Sequence, residues 1–182
     1  MDFLWRTALW QQFGATIDML ENALVACPDT LWQGHLWTDS EAPKYGTFWY
    51  ITYHTLFWLD LYLTGSREEE FAPPAPFIWT EADPVWVLPE RPYTKEELRA
   101  YLVNLRQKCQ TTITELSDEK AHQQVDYYPW IEGGRVSYLE LLLYNMRHVQ
   151  EHAAQLNLFL GQNATDGVSD WVPRAKAGES GE

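Results

Sequence analysis

The stretch YLELLLYNMRHVQEHAAQLNLFL, residues 138–160, decides the fold. Apolar residues recur in it at spacings of three and four, which predicts a long amphipathic helix. The tetrapeptide SYLE at 137–140 forms a capping box at its start, and Gly161 is a residue type that commonly follows the end of a helix. The sequence therefore predicts a helix from Tyr138 to Leu160.

One face of this helix is polar in its middle turns and apolar at both ends. His148 and His152 lie there four residues apart, so both imidazoles share one helix face and can share one metal ion. Asn145 and Gln155 flank the pair; they could orient the histidines, contact a substrate or only fill buried polar space. Polar groups on a core face cost free energy unless they are paired or bind a ligand. The whole face comprises Leu141, Asn145, His148, His152, Gln155, Leu156 and Phe159.

A second stretch, TFWYITYHTLFWLDLYLT at 47–64, is apolar or aromatic almost throughout. It predicts a helix buried on more than one side, and a subunit interface would supply the second buried surface, so we expect a homodimer. His54 lies on the inward face of this helix. Three inward histidines without an evident fourth protein ligand are typical of an open, catalytic metal site. Core histidines satisfied by hydrogen bonds are the alternative, and the residues alone leave both open.

The chemistry of the remaining candidates is less defined. Imidazole ligands suit Zn, Ni, Fe or Cu, and the metal could activate water, bind a thiolate or polarise a carbonyl. Glu21 and Asp60 could orient the ligands, or could be solvent-facing or paired elsewhere.

We expect surface positions for His35 and His122. Cys27 and Cys109 belong to no metal or redox motif, and we expect them to be inert thiols in or near the core.

The rest of the chain predicts two further long helices. A stripe from Trp10 to Leu24 predicts a first helix over Phe3–Ala26, and the capping box TKEE at 94–97 begins another helix whose stripe continues to Leu116. A loop rich in Trp and Gly separates the first two helices, and six prolines within 66–93 exclude a helix there.

Four long helices, a Pro-rich crossover between the second and third, and no convincing strands predict an all-α four-helix bundle. We expect the bundle to span residues 1–162. Residues 163–182 would form a polar C-terminal tail, a loose extension that Trp171-Val172-Pro173 could pin to the body. The 182 residues amount to about one domain.

Charge and composition exclude several functions. The formal net charge is −13, which argues against binding to nucleic acid or to anionic membrane surfaces. The 47–64 helix is too short and too polar to span a bilayer. Two lone cysteines and an N-terminus without a secretory signal favour the cytoplasm.

These motifs resemble the DinB-like superfamily of four-helix bundles with a metal site of three histidines. The resemblance rests on YHTLFW at 53–58 and NMRHVQEHAAQL at 145–156. The second segment is similar to the family pattern His-x-x-x-His-Arg-Gly-Gln-Leu. Gln155 and Leu156 fit that pattern, whereas Ala153 and Ala154 replace its Arg and Gly.

The resemblance implies that His54, His148 and His152 ligate a divalent metal, with Zn or Ni the metals of some relatives. It also implies an up-down-down-up helix order and frequent dimers. Some relatives are transferases or isomerases that use bacillithiol, mycothiol or glutathione. We therefore expect a thiol-dependent S-transferase, or a related metal-dependent enzyme such as a hydrolase, acting on a small-molecule thiol and an electrophilic substrate. Aromatic residues of the second helix, with Trp130, would shape an apolar pocket.

A different class of function stays open beside this one. A non-catalytic stress-response or binding protein could carry the same histidines around a structural or vestigial metal. Such a protein would gain stability from the metal, yet no thiol would react at its site.

Overall fold

The computed structural model describes residues 3–37, 43–65, 70–78, 88–126, 134–164 and 171–177. The protein is mainly helical, and all four long predicted helices are present. None of the described helices is both long enough and apolar enough to cross a membrane. In chain order the elements are α1 (Phe3–Ala26), α2 (Phe48–Thr64), α3 (Lys95–Thr114), the short α4 (Asp118–His122), β1 (Gln124–Asp126), β2 (Arg135–Ser137) and α5 (Tyr138–Asn163), with 3-10 turns at Asp29–Leu31 and Pro43–Gly46.

Helix α2 is enclosed by its own chain. All of its 17 residues except His54 and Thr64 are buried. It ends at Gly65, whose φ of 62° lies in the left-handed region that favours glycine. Because one chain already covers this helix, its all-round hydrophobicity does not require a partner, and the homodimer stays a prediction.

The structure confirms the predicted capping box at the start of α3. The Thr94 hydroxyl accepts a hydrogen bond from the Glu97 amide at 3.2 Å. The Glu97 carboxylate accepts one in return from the Thr94 amide at 2.8 Å. Both contacts satisfy donors that the first turn of a helix leaves unpaired.

Helix α5 begins as predicted but ends later. The Ser137 hydroxyl accepts from the Glu140 amide at 3.2 Å, which is half of the predicted box. The predicted stop at Gly161 is wrong, because the helix continues to Asn163. Gly161 is not among the glycines with positive φ, so it does not reverse the chain. The exit occurs at Ala164, whose backbone is extended.

A small antiparallel hairpin precedes α5, where the sequence predicted no strand. Val125 of β1 pairs with Val136 of β2, and both side chains are buried. Each strand has only three residues, too few for an alternating pattern to stand out. Trp130 lies in the segment between these strands, outside the described residues.

Helices α2 and α5 run in opposite directions, and this places their middle turns side by side. At one end the rings of Phe48 and Phe159 have centroids 6.0 Å apart. At the other end the Tyr138 hydroxyl donates to the Leu63 carbonyl at 2.6 Å. His54 of α2 therefore lies opposite the turns of α5 that carry His148 and His152. Helices α1 and α2 each pack against both α3 and α5.

The described parts of the predicted crossover, 70–78 and 88–93, contain no α-helix. They pack onto α2 and α3 through two aromatic rings. The Phe77 ring stacks on Tyr101 with centroids 4.5 Å apart, and the Tyr93 ring lies 4.8 Å from that of Tyr53. These contacts place the described parts of the connection against α2 and α3.

Residues 171–177, which we call the C-terminal strap, lie along α1. The Ala175 amide donates to the Gln11 carbonyl at 2.9 Å. The Lys176 amide donates to the buried carboxylate of Asp18 at 2.6 Å. Hydrogen bonds donated by backbone amides thus fasten this segment to α1. Of the two alternatives for the tail, a loose extension or one pinned near Trp171-Val172-Pro173, these contacts favour the pinned one.

Candidate metal centre

The antiparallel pairing of α2 and α5 brings the three predicted histidines to one point. The Nε2 atom of His148 lies 3.1 Å from Nε2 of His54 and 3.1 Å from Nε2 of His152. One ring nitrogen of each residue can be chosen so that all three lie within 4.8 Å of one another. Nitrogen ligands bound about 2.0–2.1 Å from a single ion are about 3 Å apart, so this spacing suits a shared cation.

The contact with Gln155 determines which ring nitrogen of His152 carries the proton. The Nδ1 atom of His152 lies 2.8 Å from the Oε1 atom of Gln155. An amide oxygen only accepts hydrogen bonds, so Nδ1 carries the proton and Nε2 of the neutral ring keeps its lone pair. Of the three alternatives predicted for Gln155, the structure provides the contact that orients a histidine.

Ordinary two-centre hydrogen bonds do not satisfy the three neutral rings. With its proton on Nδ1, His152 can only accept at Nε2, so His148 must donate there from its own Nε2. That nitrogen then has no lone pair for His54, although their Nε2 atoms are 3.1 Å apart. A cation that accepts three lone pairs removes this mismatch. The donor set therefore fits a divalent metal better than a cluster of core histidines.

His148 is held neutral by its surroundings. Burial, and then the neighbouring His54 and His152, lower the pKa of His148 well below its usual value of 6.5. Near neutral pH the ring is therefore uncharged, which is the form that ligates a metal.

Two buried polar atoms have no hydrogen-bond partner within the described chain. They are Nδ1 of the His148 ring and Oδ1 of Asn145. The Asn145 amide nitrogen donates to the Leu59 carbonyl at 3.1 Å, which leaves the oxygen on the opposite side of the amide group. An Nδ1–H of His148 and this oxygen are a donor and an acceptor three residues apart on one helix. With its proton on Nδ1, the His148 ring keeps the lone pair of Nε2, which is the atom that would bind a metal.

The centre is partly open to solvent and bordered by aromatic rings. His54 and His152 are half-buried, and Trp58 and Tyr62 of α2 lie beside them. The ring centroids are 6.3 Å apart for His54 and Trp58, and 6.4 Å apart for His148 and Tyr62. Within the described residues, the three histidines form the one group of His, Cys, Asp or Glu side chains close enough to hold a metal. Such a site keeps positions for water or a substrate.

A cleft of about 650 Å³ lies beside His148, between α1, α5 and the C-terminal strap. Sequence reasoning missed it because one wall comes from the strap. Small and polar residues on one face of α1, at positions 11, 14, 18 and 22, were the available signal that another segment packs there. The lining includes Ala15 and Thr16 of α1, Arg147 and His148 of α5, and Trp171 and Val172 of the strap.

The two carboxylates considered as partners of the histidines are paired elsewhere. Glu21 forms an ion pair with Arg99 at 3.3 Å. Asp60 accepts a hydrogen bond from the Tyr101 hydroxyl at 2.6 Å and forms an ion pair with Lys108 at 2.5 Å. Of the two alternatives left open for them, the structure shows pairing.

The remaining sequence candidates lie away from the centre. His35 and His122 are exposed, as predicted. Cys27 and Cys109 are buried and free. Burial raises the pKa of Cys27 to about 12 and also raises that of Cys109. Both stay protonated near neutral pH, which makes them inert as nucleophiles.

Comparison with known proteins agrees with the predicted resemblance. A family model described as the DinB superfamily matches residues 12–156, a span that includes all three histidines and Gln155. No curated protein and no solved structure matches the chain.

Proposed function

We propose that this chain, which belongs to the DinB superfamily, is a cytoplasmic metalloprotein that binds one divalent cation through His54, His148 and His152. The observation that carries the proposal is the pair of 3.1 Å contacts at Nε2 of His148, which neutral imidazoles cannot both satisfy by ordinary two-centre hydrogen bonds. Zn and Ni are the metals we propose, because they are the ones that the family resemblance implies; imidazole ligands suit both, but they also suit Fe and Cu. The two free, buried cysteines agree with a reducing compartment.

The proposal includes an up-down-down-up helix order. Lys95, at the start of α3, bonds Asp29 just past the end of α1, and Arg106, further along α3, pairs with Asp18 in the middle of α1. These contacts support opposite directions for α1 and α3. The rings of Trp49 and Tyr93, 6.1 Å apart at the start of α2 and α3, support a shared direction for those two helices.

We propose that the protein is an enzyme that transfers a small-molecule thiol to an electrophilic substrate. A divalent cation at the centre would lower the pKa of a thiol or a water molecule that contacts it. In the transfer, a sulfur–carbon bond forms, the leaving group departs with its bonding pair, and the proton of the thiol ends on that group or on solvent. Gln155 holds His152 in the ligating tautomer, and Trp58 and Tyr62 shield one side of the centre from water.

The alternative is a non-catalytic protein with a structural or vestigial metal. The half-buried state of His54 and His152 favours the enzyme, because structural zinc sites are closed by four protein ligands.

The test is a titration of the cobalt(II)-loaded protein with 2-mercaptoethanol. We expect a sulfur-to-cobalt charge-transfer band in the near ultraviolet, and no such band with methylthioethanol, whose sulfur cannot ionise. If cobalt binds but no thiol-dependent band appears, the proposed thiol chemistry is wrong, whereas the proposed metal site is supported.

A further inference from the structure

The cleft beside His148 has an identifiable cation and an identifiable apolar wall. We propose that it binds an anionic, apolar small molecule, with the anion at Arg147 and an aromatic or branched apolar group against Trp171. The proposal rests on the proposed function in one respect, namely that the cleft takes the substrate of the metal centre.

Arg147 is available to an anion. The arginines at 91, 99, 106 and 135 form ion pairs, and Arg174 donates to Gln11. In the described part of the chain only Arg6 and Arg147 lack a hydrogen-bond or ion-pair partner, and of these only Arg147 lines the cleft. A guanidinium forms two parallel hydrogen bonds with a carboxylate, so a free one in a cleft suits that group.

Glu151 also lines the cleft, one turn after Arg147. An arginine that precedes a glutamate by four residues is the weaker order for a pair on a helix, and no ion pair joins these two described side chains. Glu151 therefore acts as a repulsive neighbour of the bound anion. With a net charge of −13, the protein attracts anions only where a local cation offsets this field.

Trp171 supplies the apolar wall. Its side chain is 70% exposed, although indole is among the side chains that gain most from burial. The residue that follows it, Val172, is buried and lines the same cleft. An indole held beside a cleft can cover one face of a flat apolar ligand.

The strap that carries Trp171 is fixed before any ligand arrives. The Lys176 carbonyl accepts from Arg106 at 2.8 Å, and the Lys176 amide donates to Asp18 at 2.6 Å. Because the backbone of this wall is fixed in advance, binding does not have to order it, which favours affinity.

The cleft also meets the metal centre through one residue. His148 lines the cleft and, through Nε2, lies 3.1 Å from both other histidines. A molecule bound between Arg147 and Trp171 is therefore next to His148, one of the residues that would hold the metal.

The experiment compares three probes of equal size and different charge: 2-naphthoate, 2-naphthylmethanol and 2-naphthylmethylammonium. Each is titrated calorimetrically into the metal-loaded full chain at low ionic strength. We expect naphthoate to bind about tenfold more tightly than the neutral probe, as for one charge-assisted contact, and the cation to bind most weakly.

Four variants assign the contacts. Arg147→Gln should abolish the preference for naphthoate and leave the affinity for the neutral probe unchanged, whereas the control Arg6→Gln should change neither. Glu151→Gln should strengthen binding of naphthoate. Trp171→Ala should lower the affinity for all three probes by at least about fivefold, since a stacked ring contributes roughly 1 kcal/mol to binding.

Equal affinities for the three probes, or an anion preference that survives Arg147→Gln, would overturn the proposal. Unchanged binding to Trp171→Ala would overturn the role of the strap. The same titrations on the His54→Ala variant separate the two proposals. An Arg147-dependent anion preference there supports the cleft, even if the chain proves to bind no metal.

Discussion

The Nε2 atoms of His54 and His148 lie 3.1 Å apart, although 94 positions separate the two residues in the chain. Their proximity depends on the pairing of α2 with α5, which Phe48 and Phe159 fix at one end and Leu63 and Tyr138 at the other. His152, one turn beyond His148, completes the group. The paired helices thus hold three imidazoles in place, so folding brings them together before any metal binds.

Gln155 should matter for metal affinity more than for stability. Its side-chain oxygen accepts from Nδ1 of His152, so Gln155→Ala should weaken metal binding by about 10- to 100-fold. Gln155→Glu keeps an acceptor and should restore most of the affinity. Competition with a chromogenic chelator measures the dissociation constants; equal values for wild type and Gln155→Ala would contradict the orienting role.

The metal-free protein should lose stability in mild acid. The pKa of His148 lies well below 6.5 in the folded chain, mainly because of burial, so below about pH 6.5 the unfolded chain takes up a proton that the folded chain does not. The contribution of neutral His148 to the free energy of unfolding is complete above about pH 6.5. It is lost as the pH falls toward the lowered pKa of the folded chain. Urea unfolding in the presence of chelator, at about pH 7.5 and about pH 5.5, measures this slope. An identical slope in His148→Gln would contradict the assignment.

Asp18 should be the anchor of the C-terminal strap. Its buried carboxylate pairs with Arg106 at 2.8 Å and accepts from the Lys176 amide at 2.6 Å. Asp18→Asn should lower the free energy of unfolding by about 2–3 kcal/mol and speed proteolysis of the C-terminal residues. Glu21→Gln, which breaks the more exposed pair with Arg99, is the matched control and should cost less than about 1 kcal/mol. Equal effects of the two variants would argue against a strap anchored at Asp18.

Gly14 should be needed for the close approach of the strap. A Cβ atom at this position would lie 2.5 Å from the Cβ atom of Ala175. Gly14→Ala should therefore loosen the strap, despite the gain of roughly 1 kcal/mol in helix propensity. Ala175→Gly removes the clashing methyl group and should rescue the variant. A double-mutant cycle on unfolding free energies measures the coupling, and additive effects would show that the two residues do not touch.

Most of the helical architecture could be predicted from local signals. The apolar stripe from Trp10 to Leu24 predicted α1, and the capping box at Thr94 predicted the start of α3, because these features depend on neighbours in sequence. The histidines were recognised because a polar patch on a core face is costly. Their 3.1 Å contacts needed the structure, since the register of α2 against α5 is set by packing.

What the sequence did not predict depends on contacts between distant segments or on very short elements. The hairpin of β1 and β2 is too short for periodicity, and Gly161 is tolerated within α5 where a stop was expected. The cleft depends on the strap reaching α1 at Gln11 and Asp18, about 160 residues earlier in the chain. Polar residues on α1 gave no indication of which segment would cover them.

The metal content of the purified, untagged chain tests the central claim most directly. Plasma mass spectrometry of the wild type should find about one Zn or Ni per chain, and His54→Ala and His148→Ala should lose it. The exposed His35 and His122 supply the controls, whose alanine variants should keep the metal. Absence of metal from the wild type after reconstitution near neutral pH, or full occupancy in His148→Ala, would contradict the account.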